Sequence, residues 1–223
     1  MGLTPRALGS WCKANWKGTR MVQLRAVRTV RANPRTQAAM VRNLTALGNA
    51  LTTEEVAAGV GWYPLASRTA RRLSYRYGTT YHRAAGVVAA MSPMQAWATN
   101  VAMAERMLAS GQPIGLPTSR RWVMSIFAGR RPTSIFPHDG TSKKVYWFYR
   151  AITGDQDAVV LDRWAFRAAV GIPDATEADI KALERVGVYD MTAGAYRKVA
   201  PLFGMTPREF QAAIWVHVRG EST

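Results

Sequence analysis

Residues 136–169, FPHDGTSKKVYWFYRAITGDQDAVVLDRWAFRAA, contain two predicted helices and the clearest candidates for chemistry in the chain. A turn around Pro137–Gly140 precedes a run with helical spacing, which predicts a helix over residues 142–153. A polar stretch and a short apolar run follow, and Asp162 then stands where a second helix is predicted to begin. The segment therefore predicts a helix, an extended connection and another helix.

Lys144 and Asp162 of this segment are predicted to share a cleft. About 12 helical residues carry the chain ~18 Å away from Lys144, and residues 154–161, when extended, span up to ~27 Å on the return. An amine near a carboxylate can attack an electrophilic sugar carbon, and the carboxylate can stabilise the developing oxocarbenium ion. Structural roles stay open, with Asp162 as a helix N-cap and Lys143 or Lys144 as a phosphate contact.

Helical patterns extend through most of the rest of the chain. Apolar residues recur at three and four positions from Gln37 onward, Thr52–Glu55 resembles a helix start, and Gly61–Pro64 is predicted to break the chain. Further helices are predicted over residues 66–77, 81–91, 94–109, 119–129, 163–170, 176–186, 192–203 and 206–218. Only Ala158–Leu161 resembles a strand, and it is too short to found a sheet. We predict an all-α bundle of about ten helices.

Positive charge is concentrated ahead of the segment quoted above. The chain of 223 residues has 30 Lys and Arg against 14 Asp and Glu, a net charge of +16. Residues 1–138 hold 19 cations and 3 acids, whereas residues 139–223 hold 11 of each. Of the cations, 24 are arginines, whose planar fork matches phosphate oxygens. Nucleic acid is the predicted partner, with a solvated basic face or anionic lipid as the alternatives.

Residues 1–35 are predicted to form a basic arm, and residues 36–223 a helical domain. One interpretation is that the arm becomes ordered only when it binds its partner. The single cysteine, Cys12, and the three scattered histidines show no zinc or iron-sulfur spacing, so no metal is expected. No apolar run is long enough to cross a bilayer, and no leader is recognised. We expect a cytoplasmic protein with no membrane association and no obligate protein partner.

The segment resembles the helix-hairpin-helix DNA glycosylase superfamily. The hairpin of that superfamily has the form L-P-G-V-G-x-K and is followed about 18 residues later by V-D-x-H-x-x-R. The matching positions of this chain hold Gly140, Lys144, Asp162 and Arg167. Ser142 replaces the second hairpin glycine, a tryptophan replaces the histidine, and no iron-sulfur cysteines follow.

A second segment, residues 86–108, reads GVVAAMSPMQAWATNVAMAERML and is similar to the superfamily motif L-L-x-x-x-L-S-x-Q-x-x-D-x-x-V-x-x-A. That motif delivers a polar side chain into the DNA helix near the extruded base. Ser92 matches its serine, Met94 stands at the glutamine position, and Gln95 follows. Met94 and Gln95 are therefore candidate wedge residues, with a helix start after Ser92–Pro93 as the structural alternative.

Three motifs together are similar to phage and actinobacterial proteins related to these glycosylases. They are S-P-x-x-x-W-x-x-N, D-R-W-A-x-R-A and a late Q-x-x-x-W-V-x-x-R, whose residues here are Gln211, Trp215 and Arg219. A packing stripe on one helix face is the alternative for the late motif.

The resemblance implies a DNA glycosylase, with or without lyase activity, that flips a damaged or modified base from duplex DNA into a cleft between two lobes. It implies catalysis by Asp162 and Lys144, with Lys143 as the reserve nucleophile, and no cofactor beyond a monovalent cation at the hairpin. Trp147 and Trp97 are candidates for the base pocket, with core packing as the alternative for Trp147. The predicted DNA contacts are Gly140, Thr141, Ser142, His138, Arg163, Arg167, Met94, Gln95, Arg120, Arg121, Arg130 and Arg131.

Three other functions fit the same sequence. One is a non-catalytic DNA-binding protein on the same fold. Another is an enzyme of phage DNA modification that exchanges one base for another. The third is an RNA-binding role centred on the basic arm.

Overall fold

The computed structural model describes Met21, Leu24 and residues 30–112, 114–138 and 143–220. Within these ranges the chain forms eleven α-helices and no strand, which confirms the all-α prediction. Most of the predicted basic arm lies outside the described residues. The chain divides into two compact units, of which unit 1 is Met1–Trp62 with Val159–Thr223 and unit 2 is Tyr63–Ala158.

The described helices range from 4 to 24 residues in length. In chain order they are α1 (Pro34–Gly48), α2 (Thr53–Arg76), α3 (Tyr81–Met91), α4 (Trp97–Ser110), α5 (Pro117–Phe127), α6 (Pro132–Ile135), α7 (Lys143–Ile152), α8 (Arg163–Val170), α9 (Glu177–Ile180), α10 (Val188–Val199) and α11 (Pro207–Arg219). Turns of 3-10 helix extend α9 through Lys181–Glu184 and α10 through Ala200–Phe203.

Several helices begin at a cap that the local sequence supplies. Asn33 accepts a hydrogen bond from the Thr36 amide at 2.9 Å, just before Pro34 opens α1. Thr206 and Glu209 form a reciprocal capping box at the start of α11. Such caps satisfy amide donors that have no partner inside the helix, so they fix where each helix starts.

α2 is continuous through Gly61–Pro64, so the predicted chain break there is wrong. A proline inside a helix removes one amide donor and costs about 3 kcal/mol. Burial along one face of α2 offsets that cost. The buried apolar positions on this face are Tyr63, Ala66, Ala70 and Leu73. Gly59 lies within α2 and allows close packing against α11, because an added Cβ would collide with the backbone of Ala213.

Unit 1 is built around α1, which packs against α8 and α10, while α11 packs against α8. Its interior holds large side chains that are fully buried, namely Met40, Leu44, Leu47, Phe166, Tyr196 and Phe210. Asn43 lies among them and donates its side-chain amide to the Ala169 carbonyl at 2.9 Å, which ties α1 to α8.

Unit 2 is built around α3, which contacts α4, α5 and α7. Every residue of α3 from Ala84 to Met91 is buried, and most are small. At Gly86 an added Cβ would lie 2.6 Å from the Pro132 side chain, so neighbouring segments approach the helix backbone closely. Because α3 is the interior of unit 2, the surrounding helices provide its surface.

Ala158–Leu161, the predicted strand, is buried but pairs in no sheet within the described structure. The Tyr189 hydroxyl donates to the Val159 carbonyl and accepts from the Leu161 amide, both at 3.1 Å. A side chain of α10 therefore supplies the hydrogen bonds that a neighbouring strand would otherwise make. This segment leads directly into Asp162.

Candidate functional site

Asp162 stands at the N-terminus of α8 and is half-buried. Its Oδ1 accepts hydrogen bonds from the backbone amides of Trp164 and Ala165, each at 2.9 Å. The carboxylate therefore caps the helix, and its charge faces the positive end of the helix dipole. The N-cap role considered from the sequence is confirmed.

The other oxygen of Asp162, Oδ2, accepts a hydrogen bond from the indole Nε1 of Trp215 at 2.9 Å. The Trp215 ring packs edge-on against Trp62, with ring centroids 5.9 Å apart. The Arg219 guanidinium lies 4.6 Å from the centre of the same ring. The motif that begins at Asp162 and the late motif on α11 thus meet at one hydrogen bond, and the indole is held by contacts on more than one side.

Two buried tyrosines hold the backbone on either side of Asp162. The Tyr196 hydroxyl donates to the Ala165 carbonyl at 2.8 Å. Burial raises the pKa of Tyr196 well above its usual value, and the negative charge of Asp162 raises it further. Burial also raises the pKa of Tyr189, which binds the residues just before Asp162. Both phenols therefore stay protonated near neutral pH and act as hydrogen-bond donors.

Sequence reasoning did not assign Tyr189 or Tyr196 to the site. Both lie on α10, and each reaches its partner about 30 residues earlier in the chain. Their sequence signal is only an aromatic residue on an apolar helix face, which is the pattern of ordinary core packing. The spacing of Gln211, Trp215 and Arg219 was a better signal, although this pattern is more often a packing stripe than a site.

The two arginines of D-R-W-A-x-R-A make contacts within unit 1. Arg163 Nη1 lies 2.9 Å from Glu177 Oε1. Arg167 donates through Nε and Nη2 to the Ala175 carbonyl, at 3.0 and 2.6 Å, and its guanidinium lies 4.9 Å from the Trp164 ring centre. Arg167 therefore connects α8 to the turn before α9. Contacts of either arginine with DNA stay a prediction.

Lys143 and Lys144 are the first two described residues of α7, and both are half-buried. The predicted hairpin residues Gly140, Thr141 and Ser142 lie outside the described residues. Lys144 belongs to unit 2 and Asp162 to unit 1. Their pairing in one cleft stays a prediction.

His138, the other predicted hairpin contact, is exposed and tethered at two points. Its Nε2 donates to the Thr133 carbonyl at 2.8 Å, and its ring centroid lies 4.2 Å from that of Tyr146. The Tyr146 hydroxyl accepts from Arg150, which also pairs with Asp155 at 2.8 Å. This chain of contacts holds the imidazole beside Tyr146 of α7, and its contact with a phosphate stays a prediction.

Aromatic side chains on α7 divide between core and surface. Val145, Phe148 and Tyr149 are buried, which confirms core packing for this face of the helix. Trp147 is half-buried and packs edge-on against Tyr146, with centroids 5.2 Å apart. Trp97 opens α4 and is likewise half-buried. A base-pocket role for the two tryptophans stays a prediction.

The connection between α3 and α4 contains an exposed apolar side chain on a strained backbone. Met94 has φ of 63°, the only positive value among the described residues other than glycine, and it is 76% exposed. Such a conformation costs of order 1 kcal/mol and is enriched at functional segments. Gln95 beside it is half-buried. Because α4 begins only at Trp97, a helix start directly after Pro93 is wrong.

Two buried polar atoms flank the same connection. Ser92 Oγ and Asn100 Oδ1, at the two ends of S-P-x-x-x-W-x-x-N, have no hydrogen-bond partner within the described structure. An unsatisfied buried polar atom costs about 1–3 kcal/mol. This segment therefore combines backbone strain, an exposed methionine and unsatisfied polar atoms within nine residues.

Unit 2 carries most of the positive charge outside the predicted arm. Its sequence contains 13 Lys and Arg against 4 Asp and Glu, whereas residues 30–62 and 159–220 of unit 1 contain 11 and 9. The predicted phosphate contacts on α5 and the turn after it are all exposed, namely Arg120, Arg121, Arg130 and Arg131. Unit 2 therefore has an excess of positive charge, part of which is exposed on these arginines.

In the described part of the chain, no group of three or more His, Cys, Asp and Glu side chains lies close enough together to hold a metal ion. Of the described helices, none has the length and apolar character that crossing a bilayer requires.

Comparison with known proteins places these features in a family. The chain belongs to DUF7178, a family of unknown function. The family match covers residues 27–222, which include every described helix and both ends of the Asp162–Trp215 contact. No curated protein and no solved structure matches the chain.

Proposed function

We propose that this DUF7178 protein is a DNA glycosylase, with or without lyase activity, that flips a damaged or modified base from duplex DNA and excises it. The proposal is carried by the Asp162 carboxylate, which three N–H donors hold in a fixed position at the N-terminus of α8. Amide and indole N–H groups can only donate, so the carboxylate meets them as an acceptor. The resemblance of its motif to the glycosylase motif agrees with this role.

The chemistry assigned to Asp162 is electrostatic. Positive charge develops on the sugar as the glycosidic bond breaks, and a preorganised anion stabilises that charge without rearranging. Within the described structure, Oδ2 accepts one hydrogen bond, from Trp215, although a carboxylate oxygen can accept about two. One acceptor direction of Oδ2, in a residue that is half-buried, is thus left for the sugar.

The DNA grip is assigned to unit 2. Its exposed arginines would neutralise phosphates, and these contacts position the duplex without reading its sequence. Met94 would enter the stack where the target nucleotide leaves, since exposed apolar side chains serve as wedges in kinked DNA. Extrusion of the base costs a few kcal/mol, and less for a damaged or mispaired base.

Lys144 is assigned as the nucleophile of the lyase step. As the base departs with the electron pair of the glycosidic bond, the lysine Nζ bonds to C1′ and loses a proton. Opening of the sugar ring then gives an imine, which borohydride reduces to a stable protein–DNA adduct.

Borohydride trapping on duplex DNA that contains an abasic site tests this assignment independently of which base is recognised. We expect an adduct with the wild-type protein and with Lys143→Ala, and none with Lys144→Ala. Trapping that survives in the double variant would contradict a lysine nucleophile at the start of α7.

One observation favours a second function, a DNA-binding protein without catalysis. The three hydrogen bonds of Asp162 explain its presence as a structural residue. In that case Asp162→Asn would alter stability, and neither it nor the wild-type protein would release a base.

A further inference from the structure

The second half of α2, within unit 2, exposes a stripe that contains three arginines and a tyrosine. The exposed residues that form this stripe are Leu65, Arg68, Arg72, Tyr75 and Arg76. At 3.6 residues per turn they fall within about 100° of the helix circumference. The stripe lies opposite the buried face that begins at Tyr63, so it points away from the core of unit 2.

Among the described residues, Arg68 and Arg72 are the cations of this stripe that have no acidic partner. Neither makes an ion pair or a ring contact with the described residues. Arg76, by contrast, pairs with Glu105 at 2.8 Å, and Arg71 to one side lies 4.5 Å from the Tyr81 ring centre. Four residues of helix separate Arg68 from Arg72 by ~6 Å along the axis. Two guanidinium groups at this spacing can contact neighbouring phosphates of one strand.

Tyr75 is 86% exposed, the most exposed aromatic side chain of the described chain. It lies on the same face as Arg72 and nearly one turn further along α2. A flat ring beside unpaired cations is the arrangement by which proteins bind single strands, since a base stacks on the ring while cations follow the backbone. The faces of paired bases in a duplex are covered by their neighbours, whereas successive bases of a single strand offer theirs to Tyr75.

We propose that Arg68, Arg72 and Tyr75 of this stripe form a binding site for single-stranded DNA. The arginines bind successive phosphates and the tyrosine stacks on an unpaired base. Phosphates and unpaired bases are common to DNA and RNA, and the choice of DNA rests on the proposed function. An acidic peptide would satisfy the arginines but leave the exposed ring without a role.

Fluorescence anisotropy with a labelled oligothymidine, using the full chain, tests the arginines. We expect Arg68→Ala/Arg72→Ala to reduce the slope of log K against log salt by about 1.4, because each phosphate contact contributes about 0.7 for a single strand. Arg42→Ala/Lys181→Ala is the matched control, since it removes two exposed cations from unit 1. An equal change in both double variants would overturn the site.

The tyrosine is tested in the same assay by two variants of similar size. Tyr75→Leu should weaken oligothymidine binding about 5- to 150-fold, the effect of one base–aromatic stack, whereas Tyr75→Phe should retain it. Duplex binding should respond to neither variant. Equal affinity of Tyr75→Leu and the wild-type protein, or tighter binding of oligouridine or polyglutamate than of oligothymidine, would refute the proposal. Failure of the glycosylase proposal would appear separately, as absence of released base.

Discussion

The position of the Asp162 carboxylate depends on three N–H donors from two helices. Two are backbone amides of the first turn of α8, and the third is the Trp215 indole of α11. An aspartate at this position therefore stabilises the fold whether or not it takes part in catalysis. Variants that keep the helix cap but remove the negative charge distinguish the contribution to stability from the contribution to catalysis.

Replacing Asp162 by alanine should lower the free energy of unfolding by about 2 kcal/mol. The loss combines a missing cap with a partly buried indole that has lost its acceptor. Asn caps helices about as well as Asp but has a single acceptor oxygen, so Asp162→Asn should keep the cap, lose the Trp215 hydrogen bond and reduce stability less than Asp162→Ala does. Urea unfolding followed by circular dichroism measures both, and equal stability of the alanine variant and the wild-type protein would contradict the hydrogen bonding described for this residue.

Sequence reasoning identified Asp162 as a cap but not its bond to Trp215. A cap depends on the next three residues, so its signal is local. The indole lies 53 residues away, and its position depends on how α11 packs against α8. Long-range contacts of this kind are set by packing, which no spacing within one helix reveals.

Among the helices, those with strong local signals were predicted best. The bounds predicted for α3 and α8 are confirmed, because Thr80 and Asp162 cap them and their apolar residues follow helical spacing. The helix predicted over residues 192–203 begins earlier, at Val188, because the Thr192 hydroxyl donates to the Val188 carbonyl inside α10 instead of capping a helix. The four-residue α6 was missed, since it is too short for periodicity to appear.

Gly59 and Gly61 of α2 should respond in opposite ways to alanine. At Gly61 an added Cβ meets nothing within 4 Å, so Gly61→Ala should stabilise the helix by about 0.5–1 kcal/mol. At Gly59 the Cβ would collide with the backbone of Ala213, so Gly59→Ala should destabilise the protein. Thermal unfolding of the two variants measures the contrast. A higher melting temperature for Gly59→Ala would contradict the close approach of α2 and α11.

At the scale of the whole molecule, the excess of positive charge lies in unit 2 and the candidate catalytic carboxylate lies in unit 1. Unit 2 carries a large cationic excess, whereas the described part of unit 1, which contains Asp162, is close to neutral. The sequence alone showed this asymmetry as a difference between chain segments. It did not show that the cations of α2 and α5 belong to one compact unit, because the boundary falls inside the continuous helix α2.

Mass spectrometry of small molecules released from genomic DNAs, including DNAs with modified bases, tests base excision most directly. We expect the wild-type protein to release one base or base derivative, and Asp162→Asn to bind the same DNA while releasing almost none. Absence of any released base from every DNA, or equal release by Asp162→Asn and the wild-type protein, would contradict the role proposed for this carboxylate.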